Sequence, residues 1–256
     1  MRTLKLTIAY DGTDFAGWHR QASVRTVQAS IEDALAPIEG ERVVITGAGR
    51  TDAGVHAVGQ VASVSLRSTI STDELHRALN ATLAEDVRIL TIENVRADFN
   101  ARFDARHKAY RYAVYCGDVM PPQLRRYAWH VPHVLDVEAM HASAELLLGP
   151  HDFSAFQAAG SDVKTTVREL IVSEIVPGVS AAAAGFSPAA APGLFYNITG
   201  TGFLRHMVRN IIGTLVDIGR GRRSIDDMGS ILASGDRAQA SATAPPQGLT
   251  LWNVDY

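Results

Sequence analysis

The segment Gly47-Ala-Gly-Arg-Thr-Asp-Ala-Gly-Val-His-Ala57 decides how this chain is interpreted. Its glycines and alanines surround Arg50 and Asp52, and such small residues allow another molecule to approach the backbone closely. The glycine spacing is that of a phosphate loop, but Val55-His56 follow where that loop needs lysine and serine or threonine. A carboxylate at the centre would repel a phosphate. Asp52 is therefore interpreted as a reactive group presented on a tight turn, with Arg50 beside it to hold a charge.

The residues of this segment are open to two other interpretations. Asp52 has the residue type that bonds its own backbone in an Asx-turn, and on the residues alone this structural role stays open. A metal site would need more ligands than Asp52 and His56, and no third ligand follows at a sensible spacing. The sequence therefore predicts no metal.

Periodicity on either side of the segment predicts an α+β protein. Alternating residues predict strands over 4–10, 42–46, 60–65, 87–95, 109–116, 167–176, 195–200 and 251–256, and helical spacing predicts helices over 26–35, 71–83, 136–148, 204–218 and 224–232. The pattern of strand, helix, strands, helix and strand occurs twice. We therefore expect two related halves, 1–104 and 105–256, and an alanine-rich surface loop over 177–193.

Composition excludes several classes of protein. The chain has 256 residues and a net charge of −3, so it is not a basic, tail-driven nucleic-acid binder. The single Cys116 excludes an intramolecular disulfide framework and a cysteine-rich zinc site. No apolar run approaches about 18 residues and no signal peptide is evident, so we expect a cytoplasmic protein with no membrane partner.

Eight segments together resemble the tRNA pseudouridine synthase A family. They are Tyr10-Asp-Gly-Thr-Asp-Phe-Ala-Gly-Trp18 with Arg20-Gln21, Thr26-Val-Gln28, Gly47–Ala57, Gly59-Gln-Val61, Phe99-Asn-Ala-Arg-Phe103 with Lys108-Ala-Tyr-Arg-Tyr112, His151-Asp-Phe-Ser-Ala-Phe156, Phe203-Leu-Arg-His-Met-Val-Arg-Asn-Ile211 and Pro245-Pro-Gln-Gly-Leu249. They occur in the family's order and span nearly the whole chain.

The resemblance implies an isomerase that converts uridine to pseudouridine at positions 38, 39 and 40 of the tRNA anticodon stem-loop. Such a reaction exchanges an N1–C1′ bond for a C5–C1′ bond and needs no cofactor, nucleotide or metal. Asp52 matches the family's catalytic aspartate and is expected to act as the nucleophile. It would add to the uracil ring, attack C1′ or remove a sugar proton, and the sequence leaves these routes open.

The resemblance also assigns three substrate-binding residues. Tyr110 matches the tyrosine that packs on the target base, where stacking is worth roughly 1–3 kcal/mol. Arg50 matches the arginine that holds the nucleotide once the base has been flipped out of the helix. Arg209 matches the arginine of a helical block, and we expect its charge to keep Asp52 ionised from within roughly 4–6 Å. A solvated helical arginine is the alternative for Arg209.

The fold implied by the resemblance is two ferredoxin-like halves that form one mostly antiparallel sheet, with helices on one side and a central catalytic cleft. The implied partners are tRNA and a second copy of the chain. Local charge agrees with an RNA partner, since 96–126 and 205–223 each carry a balance of +4 despite the acidic total.

Two other functions use the same residues. The first is a non-catalytic RNA-binding protein on this scaffold, although a binder has no need of a carboxylate facing RNA phosphates. The second is a small-molecule hydrolase with Asp52 as nucleophile, which would leave the arginine-rich segments and Tyr110 without a role.

Overall fold

The computed structural model describes residues 1–158, 160, 163–178 and 193–256, and every structural statement below concerns these residues. They form ten strands, most of them paired antiparallel, and five α-helices, so the α+β prediction is confirmed. The chain divides into two compact units, Met1–Arg106 with Thr250–Tyr256, and His107–Leu249. The predicted loop 177–193 lies mostly outside the described residues.

The first unit has the element order of a ferredoxin-like half. Its elements are β1 (Arg2–Tyr10), α1 (Val27–Glu39), β2 (Thr46–Gly47), β3 (His56–Leu66), α2 (Thr72–Thr82), β4 (Val87–Val95) and, from the end of the chain, β10 (Leu249–Asp255). β1 lies between β4 and β3 and pairs antiparallel with both. β2 pairs antiparallel with β3, whereas β10 runs parallel to the start of β3.

Alternation along β1 forms the core of the first unit. Leu4, Leu6 and Ile8 are fully buried, while Lys5 and Thr7 between them stay partly exposed. The strand predicted over 4–10 is therefore confirmed. Buried leucines and isoleucines of α1 and α2 belong to the same apolar core.

The helices of the first unit begin at the capping residues that the sequence indicates. The hydroxyl of Thr26 accepts a hydrogen bond from the Ala29 N–H at 3.4 Å at the start of α1. At the start of α2, Ser71 and Glu74 form the predicted capping box, each side chain accepting from the other's backbone N–H at 3.2 Å.

The strand predicted over 42–46 is wrong except at its last residue. Ile45 is buried as the alternation requires, but its N–H donates to the Glu32 carboxylate at 3.1 Å instead of to a neighbouring strand. Glu32 is itself only 1% exposed and forms an ion pair with Arg20 at 2.6 Å. A side chain of α1 therefore takes the place of a strand partner here.

The second unit forms a sheet in the order β5-β9-β8-β7. Its elements are β5 (His107–Tyr115), β6 (Trp129–His130), α3 (Val137–Glu145), β7 (Gly149–Asp152), β8 (Val167–Pro177), β9 (Gly193–Gly200), α4 (Met207–Gly219) and α5 (Ile225–Ser234). The four strands of that order pair antiparallel, and the short β6 runs parallel to β5.

Two helix predictions in the second unit need correction. The helix predicted to reach residue 148 ends at Glu145, because Gly149 and Pro150 belong to β7, which pairs with β8. Pro150 is tolerated there because β7 is an edge strand. The helix predicted from residue 204 begins at Met207, because His206 has a φ of +60°, in the left-handed region that an α-helix excludes.

In the part of the chain that the structure describes, none of the helices combines the length and the apolar composition needed to cross a membrane.

Candidate active site

Asp52 lies at the first position of a tight turn between β2 and β3. The turn closes with a 3.2 Å hydrogen bond from the Val55 N–H to the Asp52 backbone carbonyl, and Gly54 adopts the left-handed φ of +78°. The side chain of Asp52 is half-buried. Residues 47–57 thus form a loop, called the aspartate loop below, whose backbone geometry requires glycine beyond Asp52.

A second segment, residues 11–21, supports the aspartate loop through its backbone. The Trp18 N–H donates to the Thr51 carbonyl at 3.1 Å, and the Gly54 N–H donates to the Phe15 carbonyl at 3.3 Å. Gly17, at φ +97°, lies so close that an added Cβ would be 2.7 Å from the Thr51 carbonyl oxygen. The peptide that precedes Asp52 and the peptide that joins Ala53 to Gly54 are therefore both fixed by this segment.

Two buried polar side chains, Tyr10 of β1 and Gln60 of β3, hold the same loop from the sheet. The Tyr10 hydroxyl lies 2.8 Å from the Thr51 hydroxyl, and Gln60 donates to the Gly49 carbonyl at 3.0 Å. Burial raises the pKa of Tyr10 to about 12, with smaller opposing effects of its hydrogen bonds to Thr51 and Gln60. The tyrosine therefore stays protonated, and its hydroxyl can donate, well above neutral pH.

His56 stabilises the turn at Gly12, and this contact uses one of its two ring nitrogens. Its Nδ1 accepts a hydrogen bond from the Gly12 N–H at 3.0 Å. That nitrogen cannot also donate to the Asp11 carboxylate, which lies 3.2 Å away. Within residues 1–158, 160, 163–178 and 193–256, no group of three or more His, Cys, Asp or Glu side chains is placed to hold a metal ion.

Arg50 is exposed on the aspartate loop, two residues before Asp52. Within the described part of the chain its guanidinium forms no ion pair with Asp52. An exposed guanidinium on this loop can reach an external anion.

Tyr110 lies on β5 in the second unit and is 8% exposed. Its ring meets the ring of Phe203 edge to face, with centroids 5.0 Å apart. Phe203 follows β9 and precedes α4, so the tyrosine is held by the segment that leads into the arginine-bearing helix. Tyr112, two residues further along β5, is fully buried and is a core residue.

Arg209 lies near the start of α4 and is half-buried rather than solvated along its length. Its Nε donates to the Ala244 carbonyl at 2.8 Å, and its own carbonyl accepts from the Ala244 N–H at 3.1 Å. The next residue, Pro245, accepts a 2.7 Å hydrogen bond from the Tyr112 hydroxyl. Burial raises the pKa of Tyr112 strongly, and the positive charge of Arg209 offsets a smaller part of this effect.

Asn210 is an organising residue that the sequence did not single out. It is fully buried; its side-chain oxygen accepts from the Thr243 hydroxyl at 2.6 Å and from Arg237 at 3.1 Å, and its amide donates to the Phe156 carbonyl at 2.8 Å. The signal for Asn210 in the sequence is that it is a polar residue within an otherwise apolar helical stretch. Tyr10 and Gln60 carried a similar signal, since a polar tip or amide on a buried strand face requires a partner.

The predicted site residues fall into two sets. Asp52 and Arg50 share the aspartate loop of the first unit, and Tyr110 and Arg209 belong to the second unit. The Asp52–Arg209 ion pair stays a prediction.

A family model described as tRNA pseudouridine synthase matches residues 6–104 and 143–256 of this chain. The chain belongs to that family. The matched ranges contain Arg50, Asp52 and Arg209, whereas Tyr110 lies between them.

Curated relatives agree over the full chain. Three proteins named tRNA pseudouridine synthase A are similar to it: 46% identity for the protein of Solidesulfovibrio magneticus, 43% for that of Chloroflexus aurantiacus and 41% for that of Acetivibrio thermocellus. Each comparison covers 100% of this chain, and 92%, 89% and 100% of the respective relative.

The close approach of Gly17 to Thr51 predicts how one added methyl group at position 17 changes the stability of the protein. Gly17→Ala combines a positive φ with a 2.7 Å clash and is expected to lower the free energy of unfolding by about 3 kcal/mol. Gly40→Ala is the matched control, because Gly40 has φ +79° but no atom within 4 Å of an added Cβ; it should cost about 1 kcal/mol. Urea denaturation measures both, and equal losses would contradict the close approach.

Proposed function

We propose that this protein isomerises uridine to pseudouridine in tRNA, at positions 38, 39 and 40 of the anticodon stem-loop. The observation that carries the proposal is Asp52, presented on a glycine-dependent turn inside a segment matched by the tRNA pseudouridine synthase family. The relatives that share the full chain carry the name of this activity.

The reaction conserves atoms. The N1–C1′ bond of the uridine breaks, the uracil turns over, a C5–C1′ bond forms, C5 loses its proton and N1 gains one. In this proposal the Asp52 carboxylate is the nucleophile that opens the sequence of steps, by attack on the uracil ring or on C1′, or it removes a sugar proton. No external donor or acceptor is needed in any of these routes.

The support of the aspartate loop suits this role. A carboxylate misplaced by about 1 Å loses on the order of a hundredfold in rate, so a nucleophile requires a fixed backbone. The hydrogen bonds from Trp18 and Gly54 and the buried Tyr10–Thr51 contact supply this rigidity. Arg50, exposed on the same loop, is proposed to hold the phosphate or sugar of the flipped nucleotide.

The second set of residues is proposed to bind the base. In this assignment the half 1–104 supplies the aspartate loop, and the half 105–256 supplies the substrate tyrosine and the arginine-bearing helix. Tyr110, fixed edge to face by Phe203, offers a ring for stacking. Arg209, held by Ala244, is proposed to keep Asp52 ionised. We further propose that the protein is a cytoplasmic homodimer that needs no cofactor.

The proposal predicts that Asp52→Asn abolishes turnover. The substitution keeps the size of the side chain but removes the nucleophile, so the rate should fall by at least about a thousandfold while tRNA binding survives. The assay is release of tritium from C5-labelled uridine in an unmodified tRNA transcript, without added metal or nucleotide. Wild-type release in the variant would contradict the role of Asp52. Wild-type binding without any release would favour the non-catalytic RNA-binding protein.

A second prediction concerns Tyr10 as a positioning residue. Tyr10→Phe removes the 2.8 Å contact to Thr51 and is expected to lower kcat about tenfold, with KM within about twofold. Tyr196→Phe is the matched control, because Tyr196 is equally buried and its hydroxyl lies 2.9 Å from the Ser173 hydroxyl, remote from the aspartate loop in sequence and in the other unit. Both variants should lose similar stability in urea denaturation. An unchanged kcat in Tyr10→Phe would contradict the positioning role.

A further inference from the structure

Phe103 is a large aromatic side chain that the fold leaves 78% exposed. The turn that carries it, residues 100–104, lies between β4 and β5 and has no assigned role in the reaction. Its exposed neighbour in sequence, Arg102, places its guanidinium 5.5 Å from the centre of the Phe103 ring. This pair, Arg102 and Phe103, is called the Arg–Phe pair below.

The turn beneath the Arg–Phe pair is fixed by its own residues. The side-chain oxygen of Asn100 accepts hydrogen bonds from the Arg102 and Phe103 N–H groups at 2.9 and 3.2 Å. The Asn100 N–H donates to the Asp104 carboxylate at 2.8 Å, and the Asp104 N–H returns to the Asn100 carbonyl at 3.0 Å. A side chain on such a turn loses less conformational freedom on binding than one on a flexible loop.

The turn is also tied to the body of the first unit. The N–H of the fully buried Ala101 donates to the Ser63 hydroxyl at 3.1 Å, and the Ala101 carbonyl accepts from the Tyr256 hydroxyl at 2.8 Å. The exposure of Phe103 is therefore a consequence of a well-anchored backbone, which directs the ring outward.

The charge left over around the ring is positive. Asp104, the acidic residue of the turn, is occupied by an ion pair with Arg96 at 2.6 Å. In the residues that the structure describes, neither Arg102 nor the exposed Arg106 forms an ion pair with a carboxylate. An aromatic face bordered by one uncompensated guanidinium group, with a second exposed arginine three residues further along the chain, matches the composition of single-stranded nucleic-acid sites, where bases stack and arginines contact phosphates.

A protein partner fits this arrangement less well. Stable protein interfaces use contiguous apolar patches with a buried core, whereas the other exposed side chain of this turn, Arg102, is charged. One ring is sufficient for one base, since every base has a face that stacks and needs no surrounding apolar surface.

We infer that the Arg–Phe pair is an additional tRNA contact, in which the Phe103 ring stacks on an unpaired base and Arg102 and Arg106 contact the flanking phosphates. The inference rests on the proposed function for its RNA partner. It assigns no chemical step to these residues, so their loss should weaken substrate binding and leave the bond rearrangement intact.

The test compares four variants of the full chain with the wild type, using an unmodified tRNA transcript. Phe103→Ala and Phe103→Leu both remove the ring and are expected to weaken tRNA binding about tenfold and to raise KM by a similar factor, with kcat unchanged. Phe103→Trp keeps an aromatic face and should bind within about twofold of wild type. Val134→Ala, which alters a 97% exposed side chain of the second unit, is the control and should bind as wild type does.

Three outcomes would overturn the inference. If Phe103→Ala binds tRNA as the wild type does, the ring makes no contact with the tRNA. If Phe103→Leu binds as the wild type does, the contact is apolar packing and not stacking on a base. A change in the sedimentation coefficient of Phe103→Ala relative to the wild type would assign the ring to an interface with a second copy of the chain. Absence of tritium release by the wild type would refute the proposed function alone, because the ranking of tRNA affinities is measured independently of turnover.

Discussion

The close contact between two backbone segments is the constraint on which the candidate site depends. Gly17 approaches the peptide that precedes Asp52 to a distance that no side chain permits, and Trp18 donates a hydrogen bond to the same carbonyl. The Tyr10 hydroxyl of β1 lies 2.8 Å from the Thr51 hydroxyl, so the residue before Asp52 is held through both its carbonyl and its side chain. Because the backbone of Asp52 is already in place, ordering its short side chain costs little conformational entropy.

In the second unit, hydrogen bonds around α4, and not a close contact between two backbone segments, fix the candidate site residue Arg209. A buried asparagine on α4, Asn210, holds residues that lie far apart in sequence, and Ala244 bonds both the backbone and the side chain of Arg209. Such networks stabilise the fold only when every polar member has a partner. The side chain of Arg209 is thus oriented by the Ala244 carbonyl, and its backbone is fixed by the N–H of the same residue.

Local patterns predicted the elements whose determinants are local. The alternation in β1 and the Ser71–Glu74 capping box gave the correct element types and nearly the correct bounds. The errors occur where a distant group intervenes: the carboxylate of Glu32 takes the N–H of Ile45, and the left-handed His206 delays the start of α4. Within the site, Asp52 was identified by its glycine-rich surroundings and by resemblance. The supports at Tyr10 and Gln60 were missed, because the Tyr10–Thr51 contact joins residues 41 positions apart, the Gln60–Gly49 contact joins residues 11 apart, and no spacing rule reports either.

Placement rather than charge alone is the central claim for Asp52. The measurement that tests it most directly is the single-turnover rate of pseudouridine formation in Asp52→Glu, which keeps the carboxylate and lengthens its side chain by one methylene. A fixed loop cannot retreat to absorb that length, so the account predicts a loss of about a hundredfold or more relative to wild type, with tRNA affinity unchanged. A rate within a few-fold of wild type would contradict it, because the loop would then have to be free to adjust.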